Sequence, residues 1–199
     1  MINAIIGHVI GDVMGVPYEF LDRCYIKKRP IKGIKHRFFG LKGKFSDDTS
    51  TTLATIQSLI NTKCVVDYDN IMEEFCYWLR DGKYTTDGKP YGVGISTYNA
   101  ISTFYCLGEE ALNCGQKDAK GNGALMRMLP IVFYLHKKKA NEDEIREITK
   151  NMTKITHNSE VNIMGTYMYV KYCLFLLEGN DKKKSYEMIK NLDYSMFSE

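Results

Sequence analysis

Apolar residues recur at helical spacing along most of the chain, and no stretch alternates apolar and polar positions over the length of a strand. Residues 3–15 place Ile5, Val9 and Val13 in one row and Ile6, Ile10 and Met14 in the next, with Gly7, Gly11 and Gly15 on a third. Each glycine costs a helix about 1 kcal/mol relative to alanine, so the row predicts a close backbone approach from a neighbouring element; a core helix that simply tolerates glycine is the alternative. Gly15-Val16-Pro17 ends this helix, and Glu19 follows it. Residues 20–45 are basic, glycine-punctuated and aperiodic, which predicts a long loop. A second helix starts at Ser46–Thr49 and carries Leu53, Ile56, Leu59 and Ile60. A third is opened by an Asn70/Glu73 capping box and carries Ile71, Phe75, Trp78 and Leu79.

Residues 84–96 form a second glycine-rich segment, followed by helices over 97–105 and near 109–113. Gly121–Arg127 opens a helix to about His136, and Asn141 with Glu144 caps another to about Thr156. Residues 159–178 form the most apolar helix, and 182–191 the last. The fold class is all-α, with one compact multi-helix domain over 1–199 and no internal repeat.

Composition agrees: 199 residues, 44% hydrophobic and 26% charged, suit one core-bearing domain. No apolar run reaches the roughly 18 residues of a membrane span, and the start lacks a basic leader. The expectation is a soluble, cytoplasmic protein with no membrane partner. The six cysteines include no CxxC pair, which argues against zinc and for apolar packing in a reducing compartment. The net charge of +3 comes from short lysine-rich runs. These lack interleaved aromatics, so nucleic acid is not expected except as a modified substrate.

The chemistry gathers at turns. Ser46-Asp47-Asp48-Thr49 sets hydroxyls and two carboxylates at a helix start. Such oxygens suit magnesium, but the same residues also make ordinary N-caps. Glycine turns at 92–97 and 121–123 would let a diphosphate approach free backbone N–H groups. His157 reads alone as a capping or core histidine, His8 as packing or bonding within the first helix, Asp12 as a cap or bridge, and Arg127 as either a phosphate contact or a buried ion pair.

Taken in order, Gly11-Asp12-Val13-Met14-Gly15-Val16-Pro17-Tyr18-Glu19, Ser46-Asp47-Asp48-Thr49, Gly92-Val93-Gly94-Ile95-Ser96-Thr97 and Gly121-Asn122-Gly123-Ala124-Leu125-Met126-Arg127 closely resemble motifs of the ADP-ribosylglycohydrolase family, which includes the dinitrogenase-reductase-activating glycohydrolase. Thr156-His157 fits a looser fifth motif. The resemblance covers residues 4–160 and implies magnesium-dependent hydrolysis of the bond between ADP-ribose and an acceptor. It implies Ser46, Asp47 and Asp48 as ligands of one or two magnesium ions. Glu19, Asp47 and Asp48 would serve the chemistry. Gly92, Val93, Gly94, Thr97, Gly121, Asn122, Gly123 and His157 would hold ADP-ribose or an ADP-ribosylated substrate.

The sequence departs from the pattern at one point. Family members carry a later Gly-x-Asp-Thr-Asp-Thr motif with further metal ligands, and no Asp-Thr-Asp occurs in these residues. Asp193 and Glu199 are the acids near this end that could stand in. The expectation is therefore a domain without the family's C-terminal helices, with a homo-oligomer covering exposed core surface. The alternative to a hydrolase is a non-catalytic protein that sequesters ADP-ribose or a related nucleotide, or binds a partner.

Overall fold

The structure is a computed structural model that describes residues 1–28 and 43–197; most of the basic stretch and Glu199 lie outside them. It is all-α, as the periodicity predicts, and no strand is present among the described residues. The helices in chain order are α1 (Ile2–Gly15), α2 (Arg23–Lys28), α3 (Asp47–Asn61), α4 (Tyr68–Asp81), α5 (Ile95–Leu107), α6 (Ala111–Cys114), α7 (Leu129–Lys138), α8 (Glu142–Lys154), α9 (Glu160–Leu177) and α10 (Lys182–Lys190). None is long and apolar enough to cross a membrane.

Local chemistry sets most boundaries. Ser46 caps α3 through Asp48 N–H, and the Asn141/Glu144 box closes with both reciprocal bonds, at 3.0 and 3.1 Å. The α4 cap is not the Asn70/Glu73 pair. Asp67 accepts the Asn70 N–H, so the helix begins three residues earlier, and Asn70 bonds Glu73 through side chains instead. Residues 121–127 do not open a helix either. They make a loop and a short 3₁₀ turn over Leu125–Arg127, and α7 starts afresh at Leu129 with Pro130 in its first turn. A missing N–H costs nothing there. The short α2 interrupts what reads in sequence as continuous loop.

The core is built where α4 crosses the bundle. Ile71, Met72, Phe75 and Trp78 are fully buried against Ala54 of α3, Ala100 and Ile101 of α5, Ile131 and Leu135 of α7, Met152 of α8 and Val170 of α9. The inward face of α3 is different. Thr51, Thr52, Thr55 and Ser58 are all buried, and the three threonine hydroxyls donate to carbonyls one turn back. That satisfies them inside the bundle.

Helix α1 contributes no buried residue, and Ile2, Ile6 and Ile10 are 70%, 50% and 53% exposed. A methyl group built on Gly7, Gly11 or Gly15 would meet nothing within 4 Å. The close approach expected along this row is therefore absent among the described residues. The row instead walls an open groove. All six cysteines are free, as their spacing suggests.

Truncating the core should separate sharply from truncating the surface. Ile71→Ala is expected to cost about 2–5 kcal/mol in urea denaturation, whereas Ile60→Ala, at a side chain 63% exposed, should stay within about 0.5 kcal/mol of the parent.

Candidate active site

The start of α3 is held by α1. Asp12 projects from the glycine-rich helix and accepts the Ser46 N–H at 3.0 Å, the Ser46 hydroxyl at 2.8 Å and the Thr49 N–H at 3.0 Å. A helix N-terminus has unsatisfied donors and a positive end, and a carboxylate answers both. His8, one turn earlier, reaches across to the Asp48 carbonyl and the Thr52 hydroxyl at 3.3 and 3.2 Å. It thus bonds to α3 rather than within its own helix.

This cap sets the acidic residues. One carboxylate oxygen from each of Asp12, Glu19 and Asp48 lies within 4.8 Å of the others. The three residues line the groove beside Gly7, Gly11 and Gly15, a hollow of about 540 Å³. Glu19 arrives there because a 3₁₀ turn over Val16–Tyr18, with buried Val16 and Pro17, ends α1 and turns the chain back. Its Oε2 is buried without a hydrogen-bond partner among the described residues. Of the expected ligands Ser46, Asp47 and Asp48, Asp48 joins this group, together with Glu19, which was expected to serve the chemistry rather than the ion. Ser46 is buried and spends its hydroxyl on the Asp12 cap. Asp47 is turned aside against Gly92, where an added Cβ would stand 2.6 Å from its Oδ1. Gly92 has φ +79°, so the tight approach and the backbone both require glycine. Asp193 accepts its neighbour Ser195 N–H on an exposed turn and is not among the grouped acids.

So many acids in so little water cannot all ionise readily. Burial, then Asp12 and Asp48, push Glu19 up to about 7, against the Tyr91 and Ser46 hydroxyls. Burial, then Asp48 and Glu19, push Asp47 to about 7 as well. Asp48 is raised by burial and by Asp12. A hard, multiply charged cation fits this donor set, because it would repay the repulsion and engage the orphaned Glu19 oxygen.

A second cluster forms around the other glycine loop. An added Cβ on Gly123 would stand 2.9 Å from Thr97 Oγ1 and 3.0 Å from His157 Cε1; one on Gly121 would stand 3.3 Å from His157 Nε2. Gly121, Gly123, Thr97 and His157 therefore come together, and the first two can only be small. Gly94 is the N-cap of α5 and offers no side chain to its first turn, so the N–H groups beside Thr97 stay available to an anion. Val93 packs toward the core, and Asn122 lies exposed with its carbonyl bonded to Leu125 N–H.

Arg127 is not a surface phosphate contact, and among the described residues it forms no close ion pair. It is wholly buried, donates to the carbonyls of Gly123 and Met152 and to the Thr156 hydroxyl, and lies over the Phe75 ring. Burial lowers it to about 9, opposed by Asp47. His157, 2% exposed, is held down at about 4 by burial and by Arg127, and is neutral at neutral pH. Sequence reasoning gave Asp12 a structural part and left Arg127 between a phosphate contact and a buried ion pair. The signal for Asp12 is its charge among apolar and glycine residues inside a helix, which needs a partner from elsewhere.

Glu19 binds a proton in the fold at pH values where the unfolded chain has lost it, between about 4.5 and about 7. Its contribution to stability is thus complete below pH 4.5 and declines as pH rises through 7. Glu19→Gln in cation-free buffer should raise Tm by roughly 2–4 °C at pH 8, corresponding to ~1 kcal/mol after solvent screening. It should leave Tm unchanged at pH 4. Calorimetric scans at the two pH values check this.

Comparison with known proteins points to one family. The ADP-ribosylglycohydrolase family pattern matches residues 1–195. The chain is 24% identical over 185 residues to the ADP-ribosylarginine hydrolase Tri1 of Serratia proteamaculans, covering 92% of this chain and 49% of that protein. It is 25% identical over 186 residues to the Tri1 of Pseudomonas putida, covering 92% and 48%. The chain thus spans about half the length of the curated relatives it matches. An all-α bundle, an acid cluster at a capped helix start and paired glycine loops meet a family match over nearly every residue: the chain belongs to the ADP-ribosylglycohydrolase family.

Proposed function

We propose that this domain binds ADP-ribosylated molecules between the α3 start and the two glycine loops and serves the hydrolysis of the bond joining ADP-ribose to its acceptor. One observation carries the reading: Asp47 leans on Gly92, and Gly92 leads through an uncapped helix start to Thr97, Gly123 and His157. The acids and the anion-accepting turns are therefore ends of one surface. The uncapped N-terminus of α5 suits a diphosphate, and the neutral His157 with the exposed Asn122 suits the nucleoside portion. The names of the two relatives make ADP-ribosylarginine the first substrate to try.

Asp48 and Glu19 would hold magnesium, with Asp12 behind them. Three of the lone-pair positions on Asp12 already accept protein donors, so its part is chiefly to fix Ser46 and the α3 start. When bound, the ion would supply charge to orient ribose hydroxyls and activate water. The protein's own groups do the rest. Glu19 takes up a proton near neutral pH only while the cation is absent, so proton binding and cation binding would compete there. Asp47, beside Gly92, places negative charge where an oxocarbenium-like ribose carbon would develop positive charge.

Titration with ADP-ribose, with and without magnesium, followed by product analysis on ADP-ribosylarginine, tests the reading. Binding and magnesium-dependent release of ADP-ribose are expected, with release lowered by about 100-fold or more in Asp48→Asn. Absence of ADP-ribose binding under both conditions would defeat the reading; binding with no release for any acceptor would reassign the domain to sequestering the nucleotide.

A further inference from the structure

His157 is 2% exposed, yet its Nε2 has no hydrogen-bond partner among the described residues, and it faces the Gly121–Gly123 loop. Its backbone is fixed on two sides. The His157 N–H donates to the Thr153 carbonyl at 2.9 Å, and Asn158 N–H donates to the Gln116 carbonyl at 2.9 Å. Nε2 is not one of the fully buried unpaired atoms, so water can serve it in the free protein and a ligand acceptor can take that place.

The other ring nitrogen has its proton decided by its neighbours. Nδ1 lies 2.7 Å from the Thr156 hydroxyl oxygen, which in turn lies 2.8 Å from Arg127 Nη2. A guanidinium nitrogen only donates, so Thr156 Oγ1 is the acceptor in that bond. The hydroxyl keeps one proton, and the only acceptor among its described contacts is Nδ1. If Nδ1 carried the imidazole proton, Oγ1 would receive two donors and its own proton would be stranded in the core.

We infer that Arg127 and Thr156 are positioning residues that lock His157 in its Nε2–H tautomer, so that the loop offers a fixed donor to an oxygen or nitrogen acceptor of the bound ADP-ribosyl group. The identity of that ligand rests on the proposed function, whereas the tautomer does not. Arg127 performs two tasks from one buried position: it holds the Gly123 carbonyl at 2.8 Å and orients the hydroxyl that sets the ring. The low affinity of the ring for a second proton keeps this tautomer unchanged across the neutral range.

The test is long-range ¹H–¹⁵N NMR of the imidazole nitrogens in the whole chain at pH 7, with the His157 signals assigned by their absence in His157→Gln. The parent and Thr156→Ser should show a protonated Nε2 and a bare Nδ1. Thr156→Val should lose that bias and weaken ADP-ribose binding about tenfold in calorimetry, against less than about threefold for Thr156→Ser. A protonated Nδ1 in the parent overturns the inference, as does a Val variant that keeps both tautomer and affinity. If Thr156→Val does not fold, the parent and Ser spectra decide. A parent that binds no ADP-ribose defeats the proposed function, while its spectrum still decides the tautomer.

Discussion

The Asp12 carboxylate accepts three donors from the first turn of α3, and nearly everything at the site follows from that contact. Ser46 is fixed as the cap, Asp48 is directed into the groove beside Glu19, and Asp47 is left facing the Gly92 turn. A neutral cap would satisfy the N–H groups equally well but would add no charge. Here the group behind the Ser46 cap is the Asp12 anion, so stabilising the helix start and crowding the carboxylates are one act.

The same economy appears at the second cluster, where a cation is buried in place of an anion. Arg127 gives its protons to carbonyls and a hydroxyl instead of a carboxylate partner at contact distance. Its charge therefore acts outward, lowering His157 and opposing the burial cost through Asp47. The two clusters are linked electrostatically through Asp47, which senses Asp48 and Glu19 on one side and is felt by Arg127 on the other.

Much of this was readable from residues alone. The 3.6-residue period located the major helices, and the Asn141/Glu144 box stands as spelled. Asp47, Asp48, Glu19 and the glycine turns stood out because each needs a special backbone or an oxygen-rich neighbourhood. What escaped was set by contacts distant in sequence. Asp67 replaces Asn70 as a cap because both residue types cap well and only packing chooses between them. Arg127 reads as a helix residue because nothing local reveals that the 3₁₀ turn closes on Met152 and Thr156. The glycine row of α1 predicts a neighbour by propensity, and the row instead borders the acid groove.

Helix α1 has no buried residue, and among its contacts with the bundle are the His8 and Asp12 bonds to α3. Such an element belongs to the low end of the local-stability range, where a helix separates from a bundle without global unfolding. When α1 leaves, Asp12 goes with it, the α3 start loses its cap and Glu19 is carried away from Asp48. The site is therefore complete only while α1 stays docked on α3. A molecule that bridges Glu19 and Asp48 would favour the docked helix and slow amide exchange throughout it.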